Sequence, residues 1–134
     1  MSAASDYTED KVLDHVLGKG TRNFASPANL FIGLYTASTG LEANNPTAEV
    51  STSGTGYARK AVTFGAASGG SASNSATVTF DVATGNWGTV THVAVLDALN
   101  AGNVLFHGPV TTSKSIESGD TFQISQGNLT ISLD

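Results

Sequence analysis

The residues of this sequence that could do chemistry are few and widely spaced. His15, His92 and His107 are its only imidazoles, and His92 and His107 fall on neighbouring predicted strands where they could face one another. A metal held there would normally also take carboxylates, and Asp97 is the one acidic residue in that region, so both read as surface or core histidines. Glu42, Asn44, Asn45 and Glu49 offer oxygens of the kind calcium takes, but without the alternating Asp/Asn spacing and glycine of a calcium loop. Gly18-Lys19-Gly20-Thr21 shares its glycines and lysine with a phosphate loop, yet that loop sits between a strand and a helix, and these glycines follow a helix and read as its stop. No serine stands in G-x-S-x-G, and no nucleophile, histidine and acid can be placed together. Nothing favours a carboxylate pair for glycoside cleavage. Asn128-Leu129-Thr130 matches a glycosylation sequon, an incidental match in a chain with no signal peptide. There is no cysteine, hence no disulfide framework and no thiolate metal site. The sequence thus predicts no catalytic, cofactor-binding or metal-binding residue, and a protein that is not an enzyme.

Composition narrows the partners. Charged residues make up 13% of the 134, about half the usual share, so the surface is polar through Gly, Ser, Thr and Asn rather than through ions. The net charge is -5. Lys11, Lys19, Arg22, Arg59, Lys60 and Lys114 are scattered, and nucleic-acid binding needs a clustered positive field; no nucleic-acid partner is expected. The opening MSAASDYTEDK has no apolar h-region, and no run approaches the length of a membrane span. No membrane partner is expected either, and the chain is read as made and kept in the cytosol unless a larger assembly carries it out.

The elements that must position these residues change character near residue 29. Before it, Asp6 or Thr8 can cap a short amphipathic helix whose first turn carries Glu9 and Asp10. Val12, Leu13, Val16 and Leu17 form its apolar stripe, Gly18 and Gly20 end it, and Lys19 and Arg22 suit its negative end. A helix this short is marginal alone, so the stripe should dock on this domain or on a neighbour. After it, Leu30 to Tyr35 reads as a strand covered on both faces, and Thr36 to Gly56 as a long surface loop. Tyr57 to Phe64 and Asn74 to Phe80 alternate about a small-residue connector and should pair as a hairpin. Val90 to Leu96, Val104 to Val110, Lys114 to Glu117, Thr121 to Ile124 and Leu129 to Leu133 complete about eight strands separated by turns. The fold class is therefore all-β, an antiparallel jelly-roll-like β-sandwich of about eight strands at 29–134, preceded by an arm with a short α-helix at 1–28.

Three stretches carry a family likeness: Leu34-Tyr35-Thr36, Gly56-Tyr57-Ala58-Arg59-Lys60-Ala61-Val62-Thr63-Phe64, and Gly85-Asn86-Trp87-Gly88-Thr89-Val90-Thr91-His92. With Ser118-Gly119-Asp120-Thr121-Phe122 and Gly127-Asn128-Leu129-Thr130-Ile131-Ser132-Leu133, they resemble a family of small tailed-bacteriophage virion proteins. Its members are often labelled tail-fibre proteins, and similar β domains serve as capsid cement or decoration proteins. The likeness spans about residues 30 to 134, and its motifs are structural. It implies a capsid cement protein on the virion surface, assembled in the host cytoplasm, that binds major capsid protein subunits as a homo-oligomer, a trimer above all. A tail-fibre, tail-tip or baseplate component touching other tail subunits or a host receptor is the alternative. The candidate interface is Val12, Leu13, Val16 and Leu17 on the helix, Glu42, Asn44 and Asn45 in the long loop, and Trp87, which either anchors a partner or plugs one end of the sandwich.

Overall fold

The computed structural model describes residues 2–20 and 26–133. Its elements are β1 (Ala3–Ala4), α1 (Asp6–Leu17), β2 (Leu30–Tyr35), β3 (Lys60–Val62), β4 (Ser71–Ser73), β5 (Val78–Thr79), β6 (Gly88–Leu96), β7 (Val104–Ile116), β8 (Gln123–Ile124) and β9 (Thr130–Ser132). All pairing is antiparallel. The largest sheet has the order β1-β7-β6-β2-β3, and two ribbons, β4-β9 and β5-β8, stand apart from it. The all-β class with a leading helix holds. The described residues form nine strands, in one five-stranded sheet and two ribbons.

The central strands explain the layering. In β2, Ile32 and Leu34 point into a large core that also holds Tyr57, Phe80, Trp87, Val93, Val95 and Phe122. Tyr35 points the other way, into a smaller cluster with Leu41, Ala94, Leu96 and Val104. A strand buried on both faces has to be apolar at every position, which is why Ile32–Tyr35 and Val93–Leu96 run without a polar residue. Gly33 is the exception of size: a Cβ there would stand 3.0 Å from Leu96 and 3.1 Å from the Tyr35 ring, so the glycine is what lets that phenol lie across the sheet.

Three sequence expectations are corrected. Tyr57 to Phe64 does not form a hairpin with Asn74 to Phe80: β3 pairs with β2, with Leu30 opposite Val62. The expected partners meet over a short stretch, through a bridge between Phe64 and Asn74, the Ser75 N–H bonded to the Thr63 carbonyl, the Thr63 and Ser75 hydroxyls 2.7 Å apart and the stacked rings of Tyr57 and Phe80. The small-residue connector imposes no register, and its Ser71–Ser73 instead pairs with β9. The stretches from Val104 and from Lys114 are one strand, β7, interrupted where β6 runs from Val90 to His92 while β7 runs from Lys114 to Pro109. β1 covers only Phe106 and His107 of the outer edge of β7; beyond them Pro109, the irregularity and Lys114 discourage further strand pairing.

The loop from 36 to 56 is not a solvated excursion. Leu41 and Val50 are buried, and the Thr36 and Val50 N–H groups bond to Ala48 and Leu34 carbonyls. Its clasp is an ion pair. Glu49 takes Nε and Nη2 of Arg59 on its two oxygens, both at 2.8 Å, and accepts the Tyr57 hydroxyl at 2.7 Å. Arg59 Nη1 reaches the carbonyls of Ala98 and Ala101 in the β6–β7 turn, each at 2.8 Å. The Tyr57 oxygen in turn accepts the Leu34 N–H of β2 at 2.9 Å. Burial alone would loosen the Arg59 proton; the hydrogen bonds and charge of Glu49 outweigh it and raise its pKa.

Breaking that cluster should be costly. Glu49→Gln removes the counter-charge of a guanidinium whose side chain is 7% exposed, and should lower unfolding free energy by about 3 kcal/mol in urea titrations. Lys60→Met, which breaks the exposed pair with Asp81, should change it by less than about 1 kcal/mol. The same cluster sets an alkaline limit. Burial first, then the charge of Glu49, raises the Tyr35 phenol to about 12 and pushes the Tyr57 phenol up as well. Phenols with folded pKa values above their unfolded value near 10 contribute stability that is whole below about pH 10 and lost as pH climbs toward 12. Melting temperatures should fall over that window together with the appearance of tyrosinate absorbance. Full tyrosinate absorbance in a still-folded protein near pH 10 would contradict the assignment.

Candidate functional site

The helix α1 is fixed by its first turn. Ser5, not Asp6 or Thr8, is its N-cap: the Ser5 oxygen accepts the Thr8 N–H at 3.4 Å and its hydroxyl donates to the Val104 carbonyl. Asp6 and Thr8 are also good capping types, but only Ser5 stands where β1 hands the chain to the helix, with its N–H on Leu105 and that of Asp6 on Glu42. Gly18 closes the helix in the left-handed region, φ 70°, with its N–H on Asp14. Gly18-Lys19-Gly20 is therefore a helix stop, and Thr21 and Arg22 lie outside the described residues.

The side that docks is the polar one. Thr8 is buried and Val12 half-buried, while Leu13, Val16 and Leu17 are 55%, 71% and 68% exposed. The stripe does not dock on its own domain: anchoring through Ser5 and Thr8 turns it outward. Asp6, Glu9 and Asp10 lie on the same outer face, at positions three, four and seven residues before the apolar ones, so one continuous stripe is acidic in its first half and apolar in its second. Fully burying a leucine or valine side chain contributes about 1.5–3 kcal/mol, and these three, mostly exposed, hold a large part of that in reserve for association.

Among the other candidate residues, Glu42, Asn44 and Trp87 are engaged within the fold. Asn44 donates to Asn103 and accepts the Val104 N–H at 2.7 Å, tying the long loop to β7; Asn45 is exposed. Glu42 receives His107 Nε2 at 2.8 Å. Trp87 is a core residue and not a surface anchor: it is 4% exposed, its indole N–H donates to Thr55 at 2.7 Å, and its ring meets Tyr57 and Phe80 edge-on. His92 and His107 occupy one face of the sheet but are opposite Pro109 and Ala94, not each other. Asp97 is spent on the turn, accepting the Asn103 N–H and side-chain amide.

Sequence reasoning missed two features. Carboxylate oxygens of Asp6, Glu9 and Glu42, all exposed, lie within 4.8 Å of one another, a proximity created by packing α1 against β7 and lacking any sequence spacing. A groove of about 420 Å³ runs between the sheet and the β8 and β9 segments, with Val93, Phe106, Val110, Phe122, Ile124 and Ile131 among its walls. No helix among the described residues is long and apolar enough to cross a membrane.

Trp87→Ala should destabilise the isolated subunit by about 3–5 kcal/mol, read from urea unfolding. A variant that melts like the parent and fails only to assemble would instead make Trp87 an interface residue.

Comparison with known proteins gives the chain a family. No curated protein matches it. The family model described as podophage GP4 fiber I protein gp80 matches residues 3–132, which takes in β1, the helix and every later strand. The match thus reaches beyond the stretch from residue 30 that carried the likeness in the sequence, and the chain belongs to this family of phage virion structural proteins.

Proposed function

We propose that the chain is a non-catalytic structural subunit of a phage fibre, a rigid β body that attaches to a neighbouring subunit through the outer face of α1. The observation that carries this reading is the outward stripe of Leu13, Val16 and Leu17 on a helix that lies within the matched region. Exposed apolar residues gathered on one face are the usual mark of an interface. A fibre subunit needs a body that does not deform and a surface that joins, and the clasped β body and the helix divide those tasks. The family description points to a fibre; the capsid cement role, with major capsid protein subunits as partners, asks for the same body and draws no separate support. Within the arm expected at 1–28, the described β1 and the start of α1 are tied to the sheet.

Cryo-electron microscopy of the particle should place this subunit along the fibres, and density on the head lattice would return the cement role. In the same particles, Val16→Asp with Leu17→Asp should reduce incorporation at least about tenfold with an unchanged melting temperature. Full incorporation of that variant would show that the helix face does not attach the subunit.

A further inference from the structure

The helix face also indicates which neighbour it takes. Its stripe is polar in sequence direction: Asp6, Glu9 and Asp10 at one end, Leu13, Val16 and Leu17 at the other, and exposed Lys19 just past the Gly18 cap. We propose that α1 pairs antiparallel with α1 of a second copy of this chain about a two-fold axis, Leu13 of each copy packing on Leu17 of the other. This rests on the helix face being the attachment surface.

The geometry follows from helix dimensions. A two-fold axis level with residue 15 sets Leu13 opposite the partner's Leu17, with the two Val16 side chains beside the axis. At 1.5 Å rise per residue, Asp10 then lies about 7.5 Å from the axis and Lys19 about 6 Å from it, on opposite copies and at the same end, so each acidic turn meets the other copy's cation. The two apolar halves overlap while the two acidic halves project away from each other. A parallel pair would overlap the apolar halves equally well, but it would also stack Asp6, Glu9 and Asp10 on their own copies, and like charges at that spacing repel. Charge therefore selects the antiparallel arrangement. An isologous contact of this kind closes on itself. Three side chains per copy cover far less than the about 800 Å² per partner of a standard interface, so the pairing is weak in dilute solution and forms where subunits are already held close.

The absence of cysteine makes the test clean. Full-length Leu13→Cys and Leu17→Cys proteins, each altered at an exposed position and checked for parental melting, are mixed in equal amounts at about millimolar concentration and oxidised. Antiparallel pairing brings residue 13 within disulfide reach of residue 17 of the other copy, and holds like positions too far apart. The mixed disulfide should exceed either homodisulfide about tenfold, Lys19→Glu should reduce its yield, and adding Asp10→Lys should restore it. Predominant homodisulfides, a mixture at the ratio of random collision, or no disulfide would each overturn the pairing. If Val16→Asp with Leu17→Asp still abolishes incorporation into particles while this pairing fails, the face is an attachment surface for a different neighbour.

Discussion

The Glu49–Arg59 pair is the constraint around which this small domain is arranged. Few charges are available in the chain, and one pair is placed where it joins four segments: the long loop, which bridges β2 at Glu49 and Tyr35, the approach to β3, the β6–β7 turn and, through Tyr57, the central strand β2. A buried guanidinium is tolerated only when its donors are met, and here two carboxylate oxygens and two carbonyls meet them. The geometry that satisfies Arg59 also holds the loop down over the second face of the sheet, where Leu41 seals the cluster around Tyr35.

The helix α1 packs against β7 and β1, at one edge of the five-stranded sheet. It is held there by the Ser5 cap and the backbone bond from Asp6 to Glu42. Those contacts occupy the Thr8 side and leave the apolar side outward. The exposed stripe is thus a consequence of how the first turn of the helix is anchored.

Much of the fold was legible because burial leaves a period. The unbroken apolar run of β2 marked a central strand, the alternation of Leu129, Ile131 and Leu133 marked the last, and Gly18 marked the helix end. The elements that escaped leave no apolar trace. β4 is Ser-Ala-Ser and exists because β9 offers it an edge; Thr111 and Thr112 read as a gap in what is one strand. An amphipathic pattern shows that a helix has an apolar face without showing what covers it, which is why the stripe of α1 could be found and its direction could not. The ion pair left no sign in the period: Tyr57 and Arg59 are buried on the parity opposite to that of Val62 and Phe64, which carry the alternation of the segment. Loop residues such as Asn44 have no period at all, and only the folded loop shows that its amide serves β7.

The central claim is that a rigid body presents the outer face of α1 to a neighbouring subunit. Hydroxyl-radical footprinting of the free subunit and of the assembled particle tests it residue by residue, with Leu99 and Val82, exposed elsewhere on the surface, as internal references. The account predicts that Leu13, Val16 and Leu17 are labelled in the free subunit and protected in the particle more strongly than Leu99 and Val82. Equal labelling of the three helix residues in both states would contradict it.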